Sequence, residues 1–312
     1  MPKFSIIIPL FNKEKDIINT LTSVFNQTFK DFEIIIIDDG STDKSVDFIN
    51  KLNDKRICIF SKKNEGVSIA RNFGVDKANA AYIAFLDADD YWHENHLDIL
   101  NSLIKEFPTH KWFASSYEKK HSSKLVSPMN SPILDKGENW FGEVSNFFNY
   151  SYIDCLTWTS SLCMQKEFYF SLNGFDTKIT HGEDTDFWIR AALKEKLIFS
   201  NKVTSQHNLV SSNRSSKVDM KNRININFDK FSEEEKNNSA LKKYLDLNRY
   251  SLAIKYKLAK NQTKYEKLLK EIDSINLNKK QLFLIKQPRI ILMLLLNFKN
   301  AIESLGMRLS SF

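Results

Sequence analysis

Between Phe4 and Ser115 the chain alternates short apolar runs with stretches whose apolar positions recur every three or four residues. Phe4-Ser5-Ile6-Ile7-Ile8 is β-branched and apolar throughout, which predicts a buried strand ended by Pro9. Ile17, Leu21, Val24 and Phe25 follow helical spacing, and Glu33 to Ile37 is a second strand stopped by Asp38-Asp39-Gly40-Ser41. Val46, Ile49 and Leu52 share a helical face before a third strand at Arg56 to Phe60, and Val67 to Ala80 is the next helix. Tyr82 to Leu86 is a fourth strand, Leu97, Leu100, Ile104 and Phe107 mark a helix, and Trp112 to Ser115 reads as a fifth strand. Strands separated by helices of this length predict an α/β fold with a mostly parallel sheet and right-handed crossovers.

Beyond residue 115 the pattern is less regular. Lys119 to Pro132 is polar and reads as a loop or flap, Leu156 to Met164 as a strand, and Lys166 to Leu172 as a short helix. Asn173-Gly174-Phe175-Asp176 is a turn, and Gly182-Glu183-Asp184 opens an amphipathic helix that buries Phe187, Trp188, Ala191 and Ala192. From about Glu233 onward the pattern is helical, through Leu241, Leu245 and Leu252 to Tyr265, Leu268, Leu269 and Ile272. The expected organisation is an α/β domain over 1–215, itself divided into halves at 1–115 and 116–215, and a helical region over 216–312.

Composition narrows the class. The chain has 312 residues, 42% hydrophobic and 27% charged, with 8 Gly and 6 Pro, which excludes disordered, collagen-like and polytopic membrane proteins. Cys58, Cys155 and Cys163 lack metal-ligand spacing and read as buried thiols in a reducing compartment. Pro9 and the charged Lys13-Glu14-Lys15-Asp16 run argue against a secretory signal, and Lys286, Pro288 and Arg289 interrupt the apolar stretch Leu282 to Phe298. The expected location is therefore cytoplasmic, either free or peripheral on the inner face of a membrane.

Ligands of open α/β sheets bind beyond the carboxyl ends of the strands. Here those ends carry Pro9-Leu10-Phe11-Asn12, Asp38-Asp39-Gly40-Ser41 and Asp87-Ala88-Asp89-Asp90, two of them acidic. Neither a G-x-G-x-x-G turn after the first strand nor a G-x-x-x-x-G-K-[ST] loop is present, so a bare diphosphate would meet repelling carboxylates. A divalent cation between them removes the repulsion, because Mg²⁺ or Mn²⁺ takes one or two carboxylates and completes its shell with phosphate oxygens and water. In an extended segment Asp87 and Asp89 point to the same side, as that role needs. Asp39 is placed to accept from a base, whereas Ser41 and Asp43 read as turn and helix-cap residues.

Phe4-Ser5-Ile6-Ile7-Ile8-Pro9-Leu10-Phe11-Asn12, Gln27-Thr28-Phe29, Glu33 to Asp43, Asn64-Glu65-Gly66 with Ala70-Arg71-Asn72-Phe73-Gly74, and Phe85 to Asp90 stand in one order. With Gly174-Phe175-Asp176 and Gly182-Glu183-Asp184-Thr185-Asp186-Phe187, this ordered set resembles the family 2 glycosyltransferases over about residues 3 to 210. The resemblance implies a GT-A fold and inverting transfer of a sugar from a nucleotide donor, usually a UDP-sugar, with Mg²⁺ or Mn²⁺. Position by position, it implies that Pro9 and Phe11 line the nucleotide pocket, Asp39 meets the base and Arg71 lies near the donor. Asp87 and the adjoining Ala88 would face ribose or sugar, Asp89 would hold the metal, and His207 would add a metal or diphosphate contact. Asp184 would be the general base. A helix N-terminus is expected to lower the pKa of Asp184, and a plain N-cap role is the competing reading.

The formal net charge is +7, and lysines dominate after Lys242. Leu282 to Phe298, then Met307, Leu309 and Phe312, are apolar with Lys286, Arg289, Lys299 and Arg308 interspersed, which suits a helix in a membrane interface or a helical subdomain packed on the catalytic core, on a partner subunit or in an oligomer. The acceptor expected of such an enzyme is a glycan or a lipid-linked sugar, in surface-polysaccharide or lipopolysaccharide synthesis. Two other functions compete. A nucleotidyltransferase would carry a Gly-rich, Arg-containing loop where Pro9 to Lys13 stands, and a basic nucleic-acid binder would interleave aromatics with its lysines, so no nucleic-acid partner is expected.

Overall fold

Strands β1 (Phe4–Leu10), β2 (Phe32–Asp38), β3 (Ile57–Ser61) and β4 (Tyr82–Phe85) pair in parallel in the order β3-β2-β1-β4. The structure is a computed structural model and describes residues 1–213 and 219–304. Alternation along β1 divides the packing between two faces. Ile6 and Ile8 join Leu21 and Val24 of α1 (Ile17–Phe25) in the main core, together with Ile34 and Ile36 of β2. The segment after β2 forms α2 (Ser45–Asn50). On the other face α3 (Val67–Lys77) approaches Ile7 and Ile37 so closely that a Cβ on Gly74 would lie 2.5 Å from Ile7 Cγ2. Gly74 therefore sets how near α3, and the Arg71 it carries, sits to the sheet.

Pro9 does not end its strand. The backbone of Leu10 faces β2, since its carbonyl accepts from the Asp39 N–H, whereas Ile7 faces β4 and accepts from Leu86. Pro9, two residues on, also faces the β4 side, where the β1–β4 register has already ended at Ile7. Its missing N–H costs the ladder no bond.

The expected fifth strand is longer than its apolar run and is not next to β4. After β5 (Tyr91–Trp92) and α4 (His96–Glu106), β6 spans Trp112–Lys120. It runs on through the buried, polar Ser115 and Ser116, and Ser115 Oγ lies 2.6 Å from Thr204 Oγ1. The loop expected at Lys119 to Pro132 contains β7 (Val126–Pro128), which pairs antiparallel with β6. β8 (Phe141–Glu143) and α5 (Phe147–Tyr150) follow, then β9 (Leu162–Gln165), which is shorter than the expected strand because Thr159–Ser161 turns as a 3-10 helix. β9 inserts antiparallel between β4 and β6. With α6 (Lys166–Ser171), α7 (Glu183–Lys194) and β10 (Ile198–Asn208), the full order is β3-β2-β1-β4-β9-β6-β10-β5, with β7 on β6 and β8 on β10. Of the cysteines, Cys163 is buried in β9, while Cys58 is exposed because β3 is an edge strand.

Contacts divide the chain into two compact units, Met1–Lys217 with Ile224–Ile226, and Val218–Arg223 with Asn227–Phe312. The second holds α8 (Ser232–Lys236), α9 (Ser239–Leu258), α10 (Gln262–Glu271), α11 (Lys279–Lys286) and α12 (Arg289–Ser304). Leu241, Leu245, Tyr265 and Leu268 form its apolar contacts. Arg249 is buried between Asp246 and Glu235, with Nη1 2.7 Å from Glu235 Oε2. Among the described residues no helix is long and apolar enough to cross a membrane. Met307, Arg308, Leu309 and Phe312 lie outside the described residues.

Candidate active site

The loops that leave the carboxyl edge of the parallel strands are tied to one another by short polar contacts. Asn12 adopts φ 51, one of the few non-glycine residues there, and its side-chain oxygen accepts from the Thr42 N–H at 2.7 Å. Its own N–H donates to Ser41 Oγ at 3.0 Å, so the loop after β1 is latched to the loop after β2. Phe11, next to this latch, is 37% exposed and presents a ring at the rim, beside half-buried Pro9. Asp38 accepts from the Ser41 N–H, the turn expected there, and Asp43 accepts from the Ser45 N–H at the entrance of α2, although the N-cap of that helix is Lys44.

Asp39 is buried and already committed. Its Oδ1 accepts from Lys62 Nζ and the Glu65 N–H, and its Oδ2 from the Gly66 N–H at 2.8 Å. Oδ2 keeps one lone-pair direction, enough for a further N–H donor.

Arg71 is the centre of the site. It is 2% exposed. Its Nη2 lies 2.8 Å from Asp87 Oδ1, its Nη1 2.8 Å from Asp184 Oδ1, and Glu183 Oε1 is 3.8 Å from Nη1. The guanidinium stands 5.0 Å from the Phe175 ring, on the turn before α7. The three carboxylates hold its pKa well above the ordinary arginine value despite burial. One side chain thus joins the loop after β4 to the start of α7.

That start is shaped by Gly182, whose φ of 86 places it in the left-handed region, with Ile226 Cγ2 3.0 Å from where a Cβ would stand. Gly182 is the N-cap, so Asp184 is the second residue of the helix and not its cap. The expected lowering of its pKa does not occur either. Burial raises it, Arg71 opposes and Asp87 adds like charge, and burial outweighs the helix terminus. Glu183 is pushed up to about 7, first by burial and then by Asp184.

The loop after β4 is fixed from beneath by residues the sequence left undecoded. Ser160 Oγ accepts from the Asp87 N–H and donates to Asp90 Oδ2, and Ser160 O accepts from Trp92 Nε1. Ala88 is buried, and its carbonyl accepts from Thr20 Oγ1 at 3.1 Å. Asp90 also accepts from Trp158 Nε1 at 2.6 Å and from the Asn208 N–H. Burial, then Asp89 and Asp87, raise its pKa to about 8. His207 lies flat on Trp158 with ring centroids 3.7 Å apart, which brings it to the Asp90 side of the same loop. A cavity of about 320 Å³ adjoins this loop, lined in part by Asp16, Asn19, Asp89, Tyr91 and Gln206.

Asp89 meets a cation of the protein's own. Lys13 Nζ lies 2.6 Å from Asp89 Oδ2 and also donates to Ser211 Oγ and the carbonyl of Ser212. Nothing in the spacing of Lys13 and Asp89 announced the pair. Among the described residues no group of three or more His, Cys, Asp or Glu could hold a metal by itself. One carboxylate completed by phosphate oxygens and water is a donor set that Mg²⁺ uses.

The mixed α/β sheet with its flanking helices has the GT-A fold. The chain belongs to glycosyl transferase family 2, whose model matches residues 5–171. A protein of Rickettsia felis called an uncharacterized glycosyltransferase is 35% identical over 200 residues, 62% of this chain and 31% of that one. An Escherichia coli UDP-Glc:alpha-D-GlcNAc-diphosphoundecaprenol beta-1,3-glucosyltransferase, WfaP, is 48% identical over 93 residues, 30% of this chain and 37% of that one. The chain thus spans about a third of the length of these relatives. Staphylococcus aureus TarS 1-349 in complex with UDP-GlcNAc has the same fold, with a TM-score of 0.68 at 19% identity, covering 88% of this chain and 82% of that one.

Proposed function

We propose that the chain transfers a sugar, with inversion, from a nucleoside-diphosphate donor, a UDP-sugar, to a hydroxyl of a glycan or lipid-linked acceptor in surface-polysaccharide synthesis at the cytoplasmic face of a membrane. The carrying observation is the Arg71 bridge, which holds Asp87 and Asp184 on the two arms of one guanidinium. The name of the Escherichia coli relative supports both the uridine donor and a lipid-diphosphate acceptor.

Inversion needs one base on the acceptor side and no protein nucleophile. Asp184 takes the acceptor hydroxyl proton as that oxygen attacks the anomeric carbon. With Oδ1 held by Arg71, the carboxylate is fixed in direction, and the guanidinium opposes the rise in pKa that burial causes. Asp87, on the other arm, accepts from ribose or sugar hydroxyls, with Ala88 closing the floor beside it. Asp39 accepts from the base through Oδ2, and Phe11 and Pro9 cover the base. Asp89, with His207, would hold Mn²⁺ or Mg²⁺, whose chemistry there is Lewis-acid stabilisation of the departing diphosphate.

The test is a UDP-release assay with purified chain and a panel of UDP-sugars, with and without Mn²⁺, against extracted lipid-diphosphate sugars and soluble glycans. Acceptor-dependent UDP release with an inverted anomeric product supports the reading. No release with any donor, together with no UDP binding in calorimetry, sinks it.

A further inference from the structure

We propose that the outer face of α11 and α12 docks on an anionic lipid bilayer surface. The inference stands on the helical unit alone and does not depend on the donor or acceptor read above.

The two helices bury one side and leave the other open. Leu284, Ile285 and Leu292 are buried, whereas Phe283, Ile290, Leu294 and Phe298 are 59%, 69%, 64% and 62% exposed. Ile290, Leu294 and Phe298 recur every four residues, so they form one stripe along α12, with Ile291 and Met293 exposed beside it. Isolated exposed apolar residues are ordinary, but a continuous stripe of large ones marks a binding surface.

Charge decides among the occupants. Lys279, Lys280, Lys286, Arg289 and Lys299 stand in a stretch, residues 279 to 302, that holds no acidic residue. A second copy seated on this face would bring the basic stretch against itself, an arrangement that like-charge repulsion disfavours. A layer with acyl chains below anionic headgroups satisfies both features at once, since apolar side chains insert while lysines remain among the phosphates. The helix lies on the surface and does not cross it: α12 is about 24 Å long and no described helix is long and apolar enough to span. One weak apolar signal with a basic patch is the combination that gives reversible surface binding.

Sedimentation of the full chain with phosphatidylcholine vesicles, with and without phosphatidylglycerol, tests the proposal. Binding should require the anionic lipid and weaken with salt. Leu294→Glu with Phe298→Glu should lower it at least about ten-fold by removing the inserted surface. Lys279→Gln, Lys280→Gln and Lys286→Gln together should lower it at least about ten-fold by removing headgroup attraction. Both variants should keep UDP affinity and the wild-type circular dichroism, which separates surface binding from folding. Equal binding to neutral vesicles, retention of binding by either variant, or failure to bind anionic vesicles overturns the proposal. Self-association in sedimentation velocity that the Leu294→Glu, Phe298→Glu variant abolishes assigns the face to a second copy instead, and capture of an acidic protein without vesicle binding assigns it to that partner.

Discussion

Lys13 Nζ lies 2.6 Å from Asp89 Oδ2, an ion pair that ties the end of the first loop to the acidic loop across 76 residues of sequence. The ammonium already neutralises the carboxylate that would hold a divalent cation, and two cations on one carboxylate repel. A Mn²⁺ ion held by Asp89 would therefore compete with the ammonium for that carboxylate. Lys13→Met should tighten Mn²⁺ binding about five-fold, the equivalent of about 1 kcal/mol for a partly exposed pair. The same variant should weaken UDP binding in the presence of Mn²⁺. Calorimetry with each ligand alone and then together checks both, and an unchanged Mn²⁺ affinity would show that pair and metal do not compete.

Asp184→Asn should lower transfer at least about 100-fold, the range typical of a lost general base. The substitution keeps the shape that Arg71 holds, so UDP and Mn²⁺ affinities should stay near the wild-type values. Single-turnover transfer beside UDP calorimetry measures the two effects separately. Retained turnover would assign the proton transfer to another group, with Glu183 next in line because it adjoins Asp184 and the same guanidinium.

The parallel half of the sheet and its acidic loops were readable because each depends on local pattern. Ile6 to Ile8, Glu33 to Ile37 and Tyr82 to Phe85 carry their own strand signal, and ligands of such sheets gather where those strands end. The second half was not readable in the same way. β9 presents only Leu162-Cys163-Met164-Gln165, and nothing in those residues says that they run antiparallel between β4 and β6. β6 continues past Ser115, where the expected strand stops, through polar Ser116 to Lys120. The site divides along the same line. Asp87, Asp89 and Asp184 belong to recognisable segments, while Lys13, Ser160 and Trp158 act through partners tens of residues away that periodicity does not encode.

Two buried carboxyls make the fold sensitive to alkali within the neutral range. Glu183 moves from 4.5 to about 7 and Asp90 from 3.8 to about 8 on folding. Both folded values exceed the unfolded ones, so the native state binds more protons over the interval between them. Stability is then fully present below the unfolded values and falls as pH rises through 7 and 8. Glu183 alone accounts for on the order of 3 kcal/mol across that interval. Urea unfolding at about pH 5 and about pH 9 should give the higher midpoint at the lower pH. Glu183→Gln and Asp90→Asn should each flatten the difference, and a profile that rises with pH would contradict the assignment of these two groups.

Arg71 separates charge from geometry as sources of activity. It lowers the pKa of Asp184 against the raising effect of burial, so its removal should raise that pKa further. Arg71→Gln should therefore move the acidic limb of the kcat profile to higher pH. It should also destabilise the fold by about 3 kcal/mol, because Asp87, Glu183 and Asp184 lose their shared cation. Arg71→Lys keeps the charge but not the two-armed fork, which an ammonium cannot reproduce. That variant should fold, hold the acidic limb nearer its original position, and still lose at least about ten-fold in kcat through misdirected carboxylates. Chemical denaturation together with kcat measured across pH for both variants resolves the two contributions. If the limb does not move in Arg71→Gln, the arginine serves the donor loop alone and the protonation of Asp184 is set by burial and Asp87.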